Sequence, residues 1–282
     1  MTTVVTGATG QLGRLVVPAL LAKGVPATDI VALGRDEARL ADLAALGVTT
    51  RKVDYTDAEA VTEALAGADR VLLISGSEVG QRLPQHQNVI DAAKAAGVSL
   101  LAYTSIPHAD TNGMQLAAEH RATEEAITAS GLPSSFLRNS WYVENYSGQL
   151  DTYREHGTVL GAAGDGKVSP ATRADLAEAA AAVLVAEQPK PVYELGGAAV
   201  TLTELAATVS EVLGQPVTYT DVPAEELRKV LVGAGLPEPY AAVLADADLG
   251  LCRGELEVDT DDLESLLGRP ATSLADGLRA AL

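Results

Sequence analysis

From Thr3 to Leu137 the chain alternates short β-branched apolar runs with longer amphipathic stretches, the two separated by Gly, Asp or Pro. The apolar runs are Thr3 to Thr6, Ile30 to Leu33, Val48 to Val53, Val71 to Ser75, Leu100 to Tyr103 and Ser134 to Leu137. Several are apolar at consecutive positions, as strands buried on both faces must be. The intervening stretches, Gln11 to Lys23, Glu37 to Leu46, Ala58 to Ala66, Pro84 to Ala96 and Leu116 to Ser130, have helical spacing. Gly24, Gly47, Gly67, Gly97 and Gly131 follow them as helix stops. This alternation predicts a Rossmann-type, doubly wound parallel sheet with helices on both faces.

After Leu137 the rhythm changes. A polar, aromatic stretch leads into the Gly-rich segment Gly157 to Gly166 and then a helix over Arg173 to Ala186. A strand at Val192 to Leu195, a helix from Thr203 to Leu213 and a strand at Val217 to Thr220 predict one further βαβ-like element. The expected division is a dinucleotide-binding domain over 1–150, completed by a returning helix at 170–186, and a small C-terminal α/β lobe over 151–282.

Composition narrows the function. Thirty-eight acidic and 20 basic side chains leave a net charge of −18, which argues against a nucleic-acid partner. No apolar run approaches the roughly 18 residues of a membrane span. The lone Cys252 and a start unlike a signal peptide lead us to expect a reducing, cytoplasmic location. Only ten residues are aromatic, so the core must be aliphatic and any clustering of aromatics is informative.

Directly after the first strand comes Thr6-Gly7-Ala8-Thr9-Gly10-Gln11-Leu12-Gly13, a G-x-x-G-x-x-G turn that opens a helix. Gly7 permits the tight turn, Gly10 lets backbone approach a pyrophosphate, and Gly13 lets helix and strand pack closely. The helix N-terminus then offers free N–H groups and the positive end of its dipole. At the end of the second strand, where an acidic residue would read a ribose 2′-hydroxyl, stands Arg35, which suits the 2′-phosphate of NADPH. Arg35 could equally be a surface cation beside Asp36 and Glu37. Asp54 closes the third strand, where it either accepts from an adenine amino group or caps the next helix. The small-residue loop from Ser75 to Arg82 leaves the carboxyl edge of the sheet, where ligands bind in open α/β folds.

Several chemistries are missing. No Tyr is followed by Lys four residues later, so the Tyr–Lys pair of ordinary short-chain reductases is absent. There is no nucleophile elbow and no Cys/His spacing suited to metal, so no metal is expected. Gly161 to Val168 fits G-x-x-x-x-G-K but puts Val168 where a phosphate-binding loop needs a hydroxyl, with Pro170 soon after. A turn at Asp165-Gly166 is the better reading.

These residues resemble the NmrA-like atypical short-chain dehydrogenases, and within them the bacterial NAD(P)H:quinone oxidoreductases of the second type. The resemblance rests on Thr6 to Gly13, Ser77 to Arg82, Ala102-Tyr103-Thr104-Ser105, His108-Ala109-Asp110-Thr111, Glu119-His120 to Glu124, Leu137 to Tyr142, Gly161 to Thr172 and Val192 to Leu195, nearly the whole chain. It implies an NADPH-binding domain, a small lobe and a substrate pocket between them. Carried over by position, Gly7, Ala8, Thr9, Gly10, Gln11 and Leu12 would hold the pyrophosphate and Arg35 the 2′-phosphate. Ser75, Gly76, Ser77, Glu78, Gln81, Tyr103, Thr104 and Ser105 would line the nicotinamide side. Asn139, Trp141, Tyr142 and Asn145 would close over it. The family also holds triphenylmethane-dye reductases, azoreductases and a non-catalytic regulator, so a dye reductase or a redox sensor that binds without turnover is the alternative. Related phenylpropanoid reductases begin with Lys the helix that here carries His120, a departure that puts general-acid catalysis in question.

A quinone accepts hydride readily, and its oxyanion needs only hydrogen bonds and a modest proton source. His120 is the candidate donor because an imidazole titrates near neutrality; Asn139 and Ser105 are candidate oxyanion donors. Trp141, Tyr142, Tyr146 and Tyr153 place four of the ten aromatics together beyond a strand end, where they either stack on a flat acceptor or fasten the two lobes. The expectation is an NADPH-dependent reductase of a quinone-like acceptor, without flavin or metal, acting as a monomer or homodimer.

Overall fold

The computed structural model describes residues 1–76, 78 and 80–282. Strands β1 (Thr3–Val5), β2 (Ile30–Gly34), β3 (Thr49–Lys52), β4 (Arg70–Leu73), β5 (Leu100–Ser105) and β6 (Ser134–Asn139) form where the apolar runs predict them. Helices α1 (Gly13–Ala22), α2 (Glu37–Ala44), α3 (Ala58–Leu65), α4 (Arg82–Ala96) and α5 (Gln115–Ser130) alternate with them. Asp36 caps α2 by accepting from the Arg39 amide at 3.1 Å, and Asp57 caps α3 by accepting from Ala60 at 3.0 Å. Gly97 and Gly131 end α4 and α5 in the left-handed conformation, at φ 67° and 77°, which a Cβ would strain.

The second half of the chain contributes α6 (Val143–Ser147), α7 (Leu150–His156), β7 (Thr158–Gly161), β8 (Lys167–Val168), α8 (Arg173–Val185), β9 (Val192–Leu195), β10 (Val200–Thr201) and α9 (Leu202–Leu213). Then follow β11 (Thr218–Asp221), α10 (Ala224–Gly233), α11 (Glu238–Cys252), α12 (Asp262–Leu267) and α13 (Leu274–Arg279). Among the described residues no helix is long and apolar enough to cross a membrane.

The main sheet has seven parallel strands in the order β3-β2-β1-β4-β5-β6-β9. Its order reverses between β1 and β4, which opens a crevice at their carboxyl ends. On one face α1 packs through Val16, Val17 and Leu20 against the Ala-rich α8, whose Ala177, Ala180 and Ala181 let the helices approach closely. On the other face α3, α4 and α5 bury Leu65, Ile90 and Ile127. Each fully buried side chain of this kind stabilises the fold by roughly 1.5–3 kcal/mol.

The predicted βαβ element over Val192 to Thr220 does not form. β9 joins the main sheet beside β6, whereas β11 pairs in parallel with β7 in a separate two-stranded sheet. The apolar run of β9 is completed by the sheet edge that β6 offers, and β11 has only β7 beside it. The two lobes therefore interleave along the chain. α8, β9 and α12 complete the sheet domain, and a second core joins Val143, Tyr146, Tyr153, Leu205, Val209, Leu251 and Leu278. The returning helix expected at 170–186 is α8, and each core draws residues from both sides of position 150.

Candidate active site

At the crevice lies a cavity of about 590 Å³. Its first wall is the turn from Gly7 to Gly13. Gly7 has φ 60°, and a Cβ on Gly13 would stand 2.3 Å from the Gly7 carbonyl oxygen, so α1 can start hard against the turn only without a side chain there. Among the described residues no protein acceptor takes the amides of Gln11, Leu12 and Gly13. They face the cavity as free donors at a helix N-terminus. Ala8 is fully buried beneath the turn, and its amide donates to Leu33 O at 2.8 Å, tying the turn to β2.

The second wall carries charge. Arg35 donates to Glu78 at 2.6 Å and lies 3.6 Å from Asp54; Glu78 foremost, then Asp54, hold it in the charged form. Asp54 resolves its two readings by doing something else. One carboxylate oxygen accepts from the Thr56 amide and hydroxyl, bonds that hold its pKa down, while the other faces Arg35. The helix cap is Asp57. Arg39 stands one turn into α2 from Arg35, lines the same wall and donates to the Thr9 carbonyl at 2.9 Å. This second cation was missed, and no helical spacing marks it, because Arg35 precedes the N-cap Asp36 and lies off α2.

The third wall is Ile74, Ser75, Gly76 and Glu78, backed by Arg82 and Gln85 of α4. β4 ends at Leu73, two residues before the predicted Ser75, because the Ser75 amide donates to the Thr104 hydroxyl instead of extending the ladder. Gln81 is exposed and does not line the cavity, and Ser77 lies outside the described residues. At the far end stand Tyr142 and Arg173, the guanidinium 4.3 Å from the ring centroid. Arg173 also donates to Asn145 at 3.1 Å, which places Asn145 behind the wall rather than on it.

Below the cavity floor lie Tyr103, Thr104, Ser105 and Asn139, all buried and none on the lining. Ser105 Oγ and Asn139 Oδ1 are buried at the ends of β5 and β6 without a protein partner among the described residues. The unpartnered atom of Asn139 is its carbonyl oxygen, an acceptor and not the oxyanion donor expected of this side chain.

His120 is not the near-neutral donor that its residue type suggested. It is 5% exposed, does not reach the cavity, and sits on the inner face of α5 with Ala117, Glu124 and Ile127. Arg82 Nη1 donates to its Nε2 at 3.1 Å, leaving the ring proton on Nδ1 toward the Tyr103 hydroxyl at 2.9 Å. Burial foremost, then the Arg82 charge, push its pKa well below the ordinary value, so it is neutral at physiological pH. The aromatic cluster also divides. Tyr142 lines the cavity, while Trp141 packs on the second core and Tyr146 and Tyr153 are buried within it.

Residues 1–275 match the NmrA-like family model. The chain belongs to the NmrA-like family. It is 50% identical to Quinone oxidoreductase 2 of Escherichia coli strain K12 over 97% of this chain and 96% of that protein. Among solved structures it is similar to the NADPH-dependent quinone oxidoreductase of Escherichia coli complexed with NADPH, at 48% identity and TM-score 0.95, covering 99% of each chain. The triphenylmethane reductase of Citrobacter sp. complexed with NADP(H) matches at 39% identity and TM-score 0.93 over 100% of both chains.

In this NmrA-like chain the second glycine-rich segment is closed to anions. The amides of Ala162, Ala163 and Gly164 donate to Asp248 Oδ2, Tyr219 Oη and Asp221 Oδ1 at 2.8–2.9 Å. The protein thus supplies its own oxygens where a phosphate would sit. Among the described residues no group of three or more His, Cys, Asp or Glu is placed to hold a metal ion.

Proposed function

We propose that this chain is an NADPH-dependent reductase that transfers hydride directly to a quinone or similarly flat acceptor. One observation carries the reading. A single cavity runs from the free amides of the Gly7–Gly13 turn, past Arg35 and Arg39, to the cation-backed face of Tyr142. The name and NADPH dependence of the Escherichia coli relative support it at 50% identity.

The residues fit the dinucleotide. The turn is a cradle that a Cβ on Gly13 would fill. Gly7 to Leu12 would hold the pyrophosphate and Arg35 and Arg39 the 2′-phosphate, while Ser105 and Asn139 stay beneath the lining. NADPH, when bound, supplies the hydride. Tyr142 offers a flat face to the acceptor, and Arg173 and Arg82 bring positive charge to the end of the cavity where an oxyanion develops. Because His120 is neutral and interior, the proton that completes the hydroquinone comes from water.

The test is loss of NADPH absorbance with a panel of quinones, a triphenylmethane dye and an azo dye. Steady multiple turnovers with quinones are expected. Tight NADPH binding without oxidation would make the protein a sensor, and turnover confined to a dye would reassign the acceptor. Arg35→Ala should lower the affinity for NADPH relative to NADH by about ten-fold, the worth of one charge-assisted bond.

A further inference from the structure

The Gly76 peptide, on the third wall of the cavity, is gripped from both sides by one helix. Its N–H donates to His86 Nε2 at 3.0 Å, and its carbonyl accepts from Arg82 Nε at 2.5 Å. Arg82 and His86 stand one turn apart on α4, so both reach the same peptide. Acceptance at Nε2 leaves the His86 proton on Nδ1, which donates to Thr123 Oγ1 on α5 at 3.0 Å. The ring is wedged edge-on between Tyr55 and Tyr103, with centroids 6.4 and 5.6 Å away. His86 is fully buried, and Gly76 has no Cβ to keep it from Gln85 Oε1 and His86 Nε2, which a Cβ would meet at 3.2 and 3.7 Å.

Packing alone would be served as well by an aliphatic side chain. A polar ring buried here is tolerated because every nitrogen is matched, and both ends of its hydrogen-bond chain are fixed. One end is the helix pair α4 and α5; the other is a peptide on the cavity wall.

We propose that His86 is a positioning residue for dinucleotide binding, holding the Gly76 peptide in the orientation this wall presents to the cofactor. The inference rests on the NADPH reading above. Removing the acceptor leaves a buried N–H unsatisfied and frees the peptide to turn.

The experiment measures NADPH affinity by fluorescence titration, and KM for quinone at saturating NADPH, in the wild type, His86→Leu, His86→Gln and Thr123→Val. His86→Leu should weaken NADPH binding roughly ten-fold with quinone KM unchanged. In His86→Gln the side-chain carbonyl reaches where Nε2 stood, so affinity should return to within about two-fold of wild type. Thr123→Val frees the ring at its far side and should weaken binding about three-fold, and it carries the test with His86→Gln if His86→Leu does not fold. Wild-type affinity in folded His86→Leu or in Thr123→Val, or a His86→Gln as weak as His86→Leu, overturns the inference alone. A wild type that does not bind NADPH overturns the reading on which it rests, and the inference with it.

Discussion

Two glycine-rich turns of this chain meet opposite fates. In the turn from Gly7 to Gly13, amides at the start of α1 point into a cavity whose rim carries Arg35, Arg39, Arg82 and Arg173. In the segment from Gly161 to Lys167, the corresponding donors are consumed by Asp248, Tyr219 and Asp221, and the Cys252 thiol donates to the Ala163 carbonyl. Glycine spacing gives a loop the capacity to present its backbone. Whether that becomes a binding site depends on whether the surrounding chain leaves the donors free or answers them with its own carboxylates.

The largest effect should come from filling each turn in turn. A Cβ at Gly13 would lie 2.3 Å from Gly7 O and 2.7 Å from Ala8 Cα, both backbone atoms, so the whole cradle must shift. Gly13→Ala is expected to weaken NADPH binding by about 100-fold or more. A Cβ at Gly166 would stand 2.4 Å from the Leu251 carbonyl group, and Gly166→Ala should cost about 1–3 kcal/mol of stability. Its NADPH affinity should stay within about two-fold of wild type. Fluorescence titration and urea unfolding of both variants check this, and equal loss of NADPH binding in the two would erase the contrast.

The third wall of the cavity and the second turn also respond oppositely to pH. Burial foremost, then the Arg82 charge, lower the His86 pKa to about 4 from an ordinary 6.5, so the folded state binds fewer protons than the unfolded one between these values. Its contribution is complete above about 6.5 and is lost as pH falls toward 4, by about 3 kcal/mol. Asp248 behaves in reverse. Burial raises its pKa to about 6 from 3.8, so its contribution is complete at low pH and is lost as pH rises through 6, by about 3 kcal/mol. Asp248→Asn keeps an acceptor for the Ala162 amide without the charge. Its stability should rise relative to wild type between about pH 4 and 6 and level above, whereas His86→Gln should gain on wild type as pH falls below about 6.5. Urea midpoints across this range that run parallel for all three proteins would remove the contrast.

What could be read from the sequence follows the same division. Strands β1, β2, β4 and β5 were legible because burial on both faces leaves apolar runs, the exposed edge strand β3 only through the flanking Val48 and Val53, and the first turn because its glycines keep fixed offsets between strand and helix. The cations at the rim were not, except for Arg35, because Arg39, Arg82 and Arg173 reach one cavity from three separate helices. Tyr103 to Ser105 were expected on the cavity wall but lie beneath it, since a strand buried on both faces gives no sign of which residues its end exposes. His120 did carry a readable signal: with Ala117, Glu124 and Ile127 it keeps the spacing of a buried helix face. The fate of β9 had none, because a four-residue strand does not encode its neighbour.

The smallest effect separates the adjacent aromatics on which a substrate site was first inferred. Tyr142 lines the cavity with Arg173 4.3 Å from its ring centroid, whereas Trp141 packs against the second core. If a flat acceptor stacks at the far end, Tyr142→Ala should raise quinone KM by roughly three- to ten-fold, the range an aromatic contact supplies beyond its area. Tyr142→Phe keeps the ring and should stay near wild type, which distinguishes stacking from any role of the hydroxyl beside Asn139. Trp141→Ala should leave quinone KM within about two-fold while lowering the urea midpoint by removing an anchor between the lobes. A Trp141→Ala with the larger rise in KM would move the acceptor to the second lobe and make the aromatic neighbours, rather than the cation-backed ring alone, the substrate face.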